Sequence, residues 1–208
     1  DRNRMPAKVL TVQFPGDSGH VFQGSAKLNR RGMLLSRLAA NPLRNLEIVK
    51  YVQLIVSSDR RCLVLSDRTE QLVTLRRMLL NAGIRSEDIG FYARRLEIGS
   101  ERERGKTVKK YREVSEAERT AAASACKILL GTYGMASVGT DIPDLAGLVM
   151  ATPQVEVEQT MGRIERMMDG KKQPVVVDFV DTHYADARNW GKARDLRYRR
   201  KGLEVKRV

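Results

Sequence analysis

Cysteine and histidine are scarce, with two of each in 208 residues. Cys62, Cys126, His20 and His183 lie far apart along the chain. Two thiols are too few for a disulfide framework. The four residues also lack the close spacing that a structural zinc site requires, so no metal site is expected. Apolar neighbours around both cysteines fit reduced, buried thiols in a cytosol-like compartment, and a cytoplasmic location is the expectation. No apolar run approaches the roughly 18–20 residues that span a bilayer. The opening Asp1-Arg2-Asn3-Arg4-Met5-Pro6 leads into no signal-peptide core, and no membrane partner is expected. The absence of Met at position 1 reads as a fragment or a processed piece of a longer chain.

What the sequence has in excess is positive charge. Lys and Arg number 38 against 25 Asp and Glu, a net charge of +13. With 42% hydrophobic residues beside 30% charged ones, the composition is that of a soluble globular protein with a real core. Charge of this sign favours a polyanionic partner, nucleic acid being the commonest. A basic surface that binds no polyanion is the alternative reading of charge alone.

Residues 7–14 alternate like a strand, ended by Pro15-Gly16-Asp17-Ser18-Gly19. Residues 32–57 read as two helices broken near Asn41-Pro42, with Leu46, Val49, Val52 and Val56 at helical spacing in the second. Residues 61–66 form a short apolar run, the mark of a buried strand. Asp67 or Thr69 then caps a helix carrying Leu72, Leu75, Met78 and Leu79, which Asn81-Ala82-Gly83 stops. Residues 94–115 are rich in Lys and Arg and poor in apolar residues, and read as a solvated, disordered loop. Ser115-Glu116-Ala117-Glu118 opens an Ala-rich helix. Apolar runs at 127–131, 146–151 and 174–180 read as strands, with a helix at 155–168. Strands that are apolar throughout and alternate with helices indicate a parallel sheet covered on both faces. The division expected is an edge strand or a linker over 1–40, an α/β domain over 41–185, and a basic helix or arm over 186–208 holding the single Trp190. In that last stretch Trp190 and Tyr198 among arginines fit either a stacking surface for single strands or a packed helix. Met161, Met167 and Met168 read as packing residues, and His20 and His183 as loop residues.

Three segments fall at strand ends, where open α/β sheets bind their ligands. They are Leu65-Ser66-Asp67-Arg68, the run Thr132 to Pro143, and Gln159-Thr160-Met161-Gly162-Arg163-Ile164-Glu165-Arg166. In the last, Gln159, Arg163 and Arg166 share one face if the segment is helical. Two guanidinium forks on one stripe match phosphate oxygens and the charge that develops in phosphoryl transfer. An isolated Arg-x-x-Arg is more often a solvated charged face, with Glu165 and Asp169 as partners. In the middle segment Gly134, Ser137, Gly139 and Thr140 leave N–H groups and hydroxyls for phosphate, and Asp141 can accept from a ribose hydroxyl.

In this order and spacing the segments resemble the second, C-terminal RecA-like domain of superfamily 2 helicases. Leu65-Ser66-Asp67-Arg68 looks like motif IV, Gly139-Thr140-Asp141-Ile142-Pro143 like motif V, and Gln159 to Arg166 like motif VI, Q-x-x-G-R-x-x-R. The resemblance covers roughly residues 40–200 and is nearest to helicases of large DNA viruses, of the poxvirus transcript-release type, and of phages. Two departures are Glu165 between the arginines and Val138-Gly139-Thr140 where Glu-Gly-hydrophobic is common. The resemblance implies an α/β RecA-like fold, a central mostly parallel sheet with helices on both faces. It implies an ATP-dependent helicase or translocase. Gly139 and Asp141 would then lie near ATP, with Gln159, Arg163 and Arg166 facing its γ-phosphate as arginine fingers and their amide companion. Ser66, Arg68 and Thr132 would lie toward the nucleic-acid backbone, DNA being favoured over RNA. A non-catalytic RecA-like binding module is the rival.

A complete motor also needs G-x-x-x-x-G-K-[ST] and an acidic Mg2+ motif. Gly105-Lys106-Thr107 is a decoy, because Ser100 stands where the first glycine belongs. ATP and Mg2+ are therefore expected to be held mainly by a first RecA-like domain, the partner of this one, and this chain alone is expected to be inactive.

Overall fold

The computed structural model describes residues 4–16, 30–137, 142, 144–154, 156 and 158–208, with only the backbone described for Glu158 and Gln159. In chain order the elements are β1 (Lys8–Phe14), α1 (Arg30–Ala40), α2 (Pro42–Ser57), β2 (Arg61–Leu65), α3 (Thr69–Asn81) and β3 (Ile89–Tyr92). There follow β4 (Arg95–Glu103), β5 (Lys106–Glu113), α4 (Glu116–Ala125), β6 (Ile128–Gly131), α5 (Tyr133–Ser137) and β7 (Leu145–Met150). The last four are α6 (Glu158–Ile164), β8 (Val175–Asp181), α7 (Ala185–Arg200) and β9 (Glu204–Arg207).

Seven strands make one sheet in the order β3-β6-β2-β7-β8-β1-β9. Every pairing in it is parallel, as the apolar runs led one to expect. Because side chains alternate across a strand, each run feeds two cores. Cys62, Val64, Ile128, Leu130, Val149, Val177 and Phe179 face α2 and α3. Leu63, Leu65, Leu129, Leu148, Met150 and Val176 face the other side with Ala122, Ala136, Met161, Ile164 and Tyr198 from α4 to α7. Helices thus cover both faces.

Local chemistry sets the helix starts. The Asn41 side chain accepts from the Arg44 N–H at 2.9 Å, and Pro42 stands in the first turn where its missing N–H has no consequence. Ser115 accepts from the Glu118 N–H at 3.1 Å and opens α4.

Several expectations are corrected. Residues 94–115 are ordered as an antiparallel β4–β5 hairpin, turning at Arg104 (φ 47°) and Gly105 (φ 79°). Two consecutive positive φ values make the two-residue turn that matches strand twist. The decoy Gly105-Lys106-Thr107 sits at this turn, with no buried strand leading into it. Strand β1 does not form an edge but lies between β8 and β9. The buried stripe of α2 is Ile48, Val49, Val52 and Ile55, with Leu46 exposed. Met161 packs in the core, whereas Met167 and Met168 are exposed. Cys62 is buried but Cys126 only partly. Tyr198 is buried, so α7 is a packed helix.

Candidate functional site at the carboxyl ends of the strands

A parallel sheet brings all its carboxyl ends to one edge of the molecule. Here Asp67 follows β2, Thr132 follows β6, and Thr152 lies just past β7. They are tied across the sheet. The Asp67 N–H donates to Thr152 Oγ1 at 2.8 Å, and the buried Tyr133 hydroxyl donates to the Thr152 carbonyl at 2.6 Å. Burial holds the Tyr133 hydroxyl well above its usual pKa. Burial also raises the Asp67 carboxyl above the usual carboxylate range, opposed by Arg31 and Arg68 nearby.

Beneath this rim runs a polar layer. Ser66 Oγ donates to Gln71 Oε1 at 2.7 Å, and Gln71 Nε2 donates to Asn45 Oδ1 at 2.8 Å. Gln71 and Arg44 both donate to the Ala151 carbonyl, and Arg44 Nε donates to Asp181 Oδ1 at 2.7 Å. On the opposite face Arg194 Nε donates to Asp178 Oδ2 at 2.8 Å, and the Tyr198 hydroxyl donates to the same oxygen at 3.1 Å. Buried charges tolerate the interior when paired in this way. The pairs lock α2, α3 and α7 to the strand ends.

Two clefts open above this layer. One, of about 460 Å³, is lined by Asp67, Tyr133, Gly134, Ser137, Gln154, Glu156, Thr160 and Arg197. The other, of about 390 Å³, is lined by Thr69, Arg94, Arg95, Thr132, Gly134 and Met135. Gly134 is common to both, so they adjoin across α5. Beside the first, Arg163 Nη2 of α6 donates to the Ser137 carbonyl at the end of α5, at 2.8 Å.

No family model matches the chain. It is 27% identical over 187 residues to a protein of Acanthamoeba polyphaga mimivirus provisionally named as the ATP-dependent RNA helicase L396, covering 89% of this chain and 32% of that one. Its fold superimposes on UvsW of T4 with a TM-score of 0.64 at 16% identity, covering 97% of this chain and 41% of that one. It also superimposes on Dbp5 of S. cerevisiae bound to RNA and ADP BeF3, with a TM-score of 0.58 at 14% identity, covering 99% and 42%. The fold is α/β and RecA-like, the fold these helicase structures share with this chain. The chain spans 32% of the length of the mimivirus relative.

Within this RecA-like domain the expected site residues have separate fates. Arg163 is on α6 as expected. Arg166 is not, because α6 ends at Ile164 and Arg166 forms an isolated β-bridge with Arg4. The two arginines therefore do not share a helical face. The backbone of Gln159 lies in α6, while Gly139 and Asp141 lie outside the described residues. Thr132 lines the second cleft. Ser66 is fully buried, its hydroxyl engaged with Gln71 and accepting from the Arg68 N–H, so its expected contact with a nucleic-acid backbone is corrected. Arg68 turns to α1 instead, donating to Ser36 Oγ at 2.9 Å and the Gly32 carbonyl at 2.8 Å. Its place beside Thr132 is taken by Arg94 and Arg95. These two, with Thr69, lie outside the segments the sequence singled out, while Asp67 and Tyr133 fall inside them; all share a position within a few residues of a strand's carboxyl end. Glu165 is buried and accepts from the Ala7 N–H at 3.5 Å, so it is no solvated partner for the arginines.

The first cleft carries the chemistry to meet an anion. Arg197 lines it and Arg163 stands at its rim, where cations can meet a terminal phosphate. Its acids, Asp67 and Glu156, do not make a metal cage, and among the described residues no three His, Cys, Asp or Glu converge as a metal requires. Among the same residues no helix is long and apolar enough to cross a membrane.

Proposed function

We propose that this domain is the second motor domain of an ATP-dependent nucleic-acid helicase or translocase. The observation that carries the reading is the bond from Arg163 to the Ser137 carbonyl. It brings the Q-x-x-G-R-x-x-R segment against the small-residue segment that ends β6, at the mouth of a polar cleft. In the working cycle a first RecA-like domain holds ATP and Mg2+. Arg163 and Arg166 meet the γ-phosphate from across the interface, and Gln159 orients there with them. Guanidinium groups placed where charge develops stabilise phosphoryl transfer without taking part covalently. Gly139 and Asp141 contact ribose and phosphate. ATP supplies the change in interface affinity between its bound and hydrolysed states. The residues of this chain convert that change into closure and opening.

Thr132, Arg94 and Arg95 hold the nucleic-acid backbone in the second cleft. Such contacts position a strand without reading its sequence. DNA is favoured on the phage and viral likeness. RNA is the strand in the name of the mimivirus relative and in the Dbp5 structure. The test is ATP turnover by the protein that joins this domain to its P-loop domain, with single-stranded DNA, duplex DNA and RNA added in turn. Stimulation is expected, and the strongest activator names the substrate. Turnover indifferent to all three would contradict the reading.

A further inference from the structure

Strands β4 and β5 add almost nothing to the core. Leu96 is buried at the base, while Gly99 to Glu103 and all of β5 are exposed. An isolated two-stranded ribbon is marginal in water, so this one needs another reason to exist. Its charge supplies one. Residues 95–113 hold seven Lys or Arg against four Glu.

The charge is also sorted along the ribbon. Near the base, Lys109 pairs with Glu97 at 2.7 Å and Arg112 with Glu118 at 3.0 Å, and farther along the ribbon Lys110 pairs with Glu101 at 2.5 Å. At the tip, Arg102, Arg104 and Lys106 outnumber the one acid there, Glu103, and make no ion pair among the described residues. Unpaired cations therefore gather at the end farthest from the domain.

Register gives the ribbon a face. The pairs Arg95↔Glu113, Glu97↔Tyr111, Ser100↔Lys109 and Arg102↔Thr107 lie on one side. On it the Arg95 guanidinium sits 4.6 Å over the Tyr111 ring. Arg95 also lines the cleft that holds Thr132. The face therefore continues that cleft outward for about 25 Å, at roughly 3.3 Å per residue. One strand lying in the cleft has no need of cations so far away. A duplex continuing from it does, and a two-stranded ribbon is narrow enough for the roughly 12 Å major groove of B-DNA.

We propose that the β4–β5 ribbon is a second nucleic-acid contact, its tip cations binding the phosphate backbone of a duplex segment that continues from the strand in the cleft. The inference rests on the nucleic-acid reading of that cleft. It is tested by fluorescence anisotropy of this protein with a labelled single strand and with a duplex bearing a single-stranded tail. The variants are R102Q/R104Q/K106Q, which keeps the ribbon's length, and Arg94→Gln in the cleft. The triple variant is expected to bind the tailed duplex about ten-fold or more weakly, with the slope of log K against log salt smaller by roughly 2–3, as loss of three phosphate contacts requires. Its single-strand affinity should stay within about two-fold, since only backbone-charge contacts at the tip are removed. Equal binding of the tailed duplex by wild type and triple variant overturns the proposal and leaves the ribbon to a protein contact. If Arg94→Gln still weakens single-strand binding in that case, the cleft reading survives. If instead the triple variant loses the tailed duplex while Arg94→Gln changes nothing, the ribbon proposal stands and the cleft reading falls.

Discussion

Arg44 and Asp181 meet at 2.7 Å with side chains 0% and 1% exposed, each the other's counter-charge in the interior. Removing one partner strands a buried charge. Arg44→Ala should therefore cost about 3–5 kcal/mol, read by urea denaturation, whereas R44M/D181L should be close to neutral. Asp67 works in the opposite sense. Its carboxyl is raised by burial, so the folded protein holds the proton more tightly than the unfolded chain does. Stability tied to Asp67 is thus present at low pH and lost as pH rises through its raised pKa. Asp67→Asn should flatten this dependence. Melting curves should show the variant gaining on wild type as pH rises above the ordinary carboxylate pKa of about 4. At this scale the sequence was a partial guide. Arg163 lies on the helix its spacing indicates, and Thr132 follows the strand its apolar run indicates. Ser66 and Arg68 do not, because a residue ending a buried strand can turn inward as readily as outward, and only packing decides.

Helices and strands were most legible where apolar residues recur. Strands β2, β6, β7 and β8 match their apolar runs within a residue or two, because a doubly covered parallel strand has no polar face to disguise it. The β4–β5 hairpin was hidden by its charge. Its only local sign was Arg104-Gly105, and its alternation is carried by ion pairs instead of apolar residues. Strand β3 is four residues long and includes Gly90, too short for a period to show. That glycine is required: a Cβ there would collide with Ala122 of α4. Gly90→Ala should cost about 1–3 kcal/mol by overpacking, visible as a lower Tm with the circular-dichroism spectrum preserved. The edge strand β9 covers β1 in register from Lys8↔Glu204 to Thr11↔Arg207. Deleting residues 204–208 should uncover an apolar-rich edge and promote association, measured by light scattering against wild type.

Across the whole molecule, a sheet with every strand parallel collects the residues that follow its strands on one edge, and the connecting helices hold them there through buried polar bonds. This gathering is readable from the order of the three motif segments. The early end of α6 was not, since Arg-x-x-Arg has helical spacing whether or not the helix continues past Ile164. Arg163 and Arg166 therefore approach the candidate interface from different backbone settings, one from a helix and one from a bridge to Arg4. The central claim is that they act on a phosphate held by another domain. Its most direct measurement is ATP turnover, at saturating nucleic acid, by the protein joining this domain to a P-loop domain, for wild type, Arg163→Ala and Arg166→Ala. The expected result is a loss on the order of 10³-fold in each variant with the melting temperature unchanged. Undiminished turnover in folded variants would contradict it.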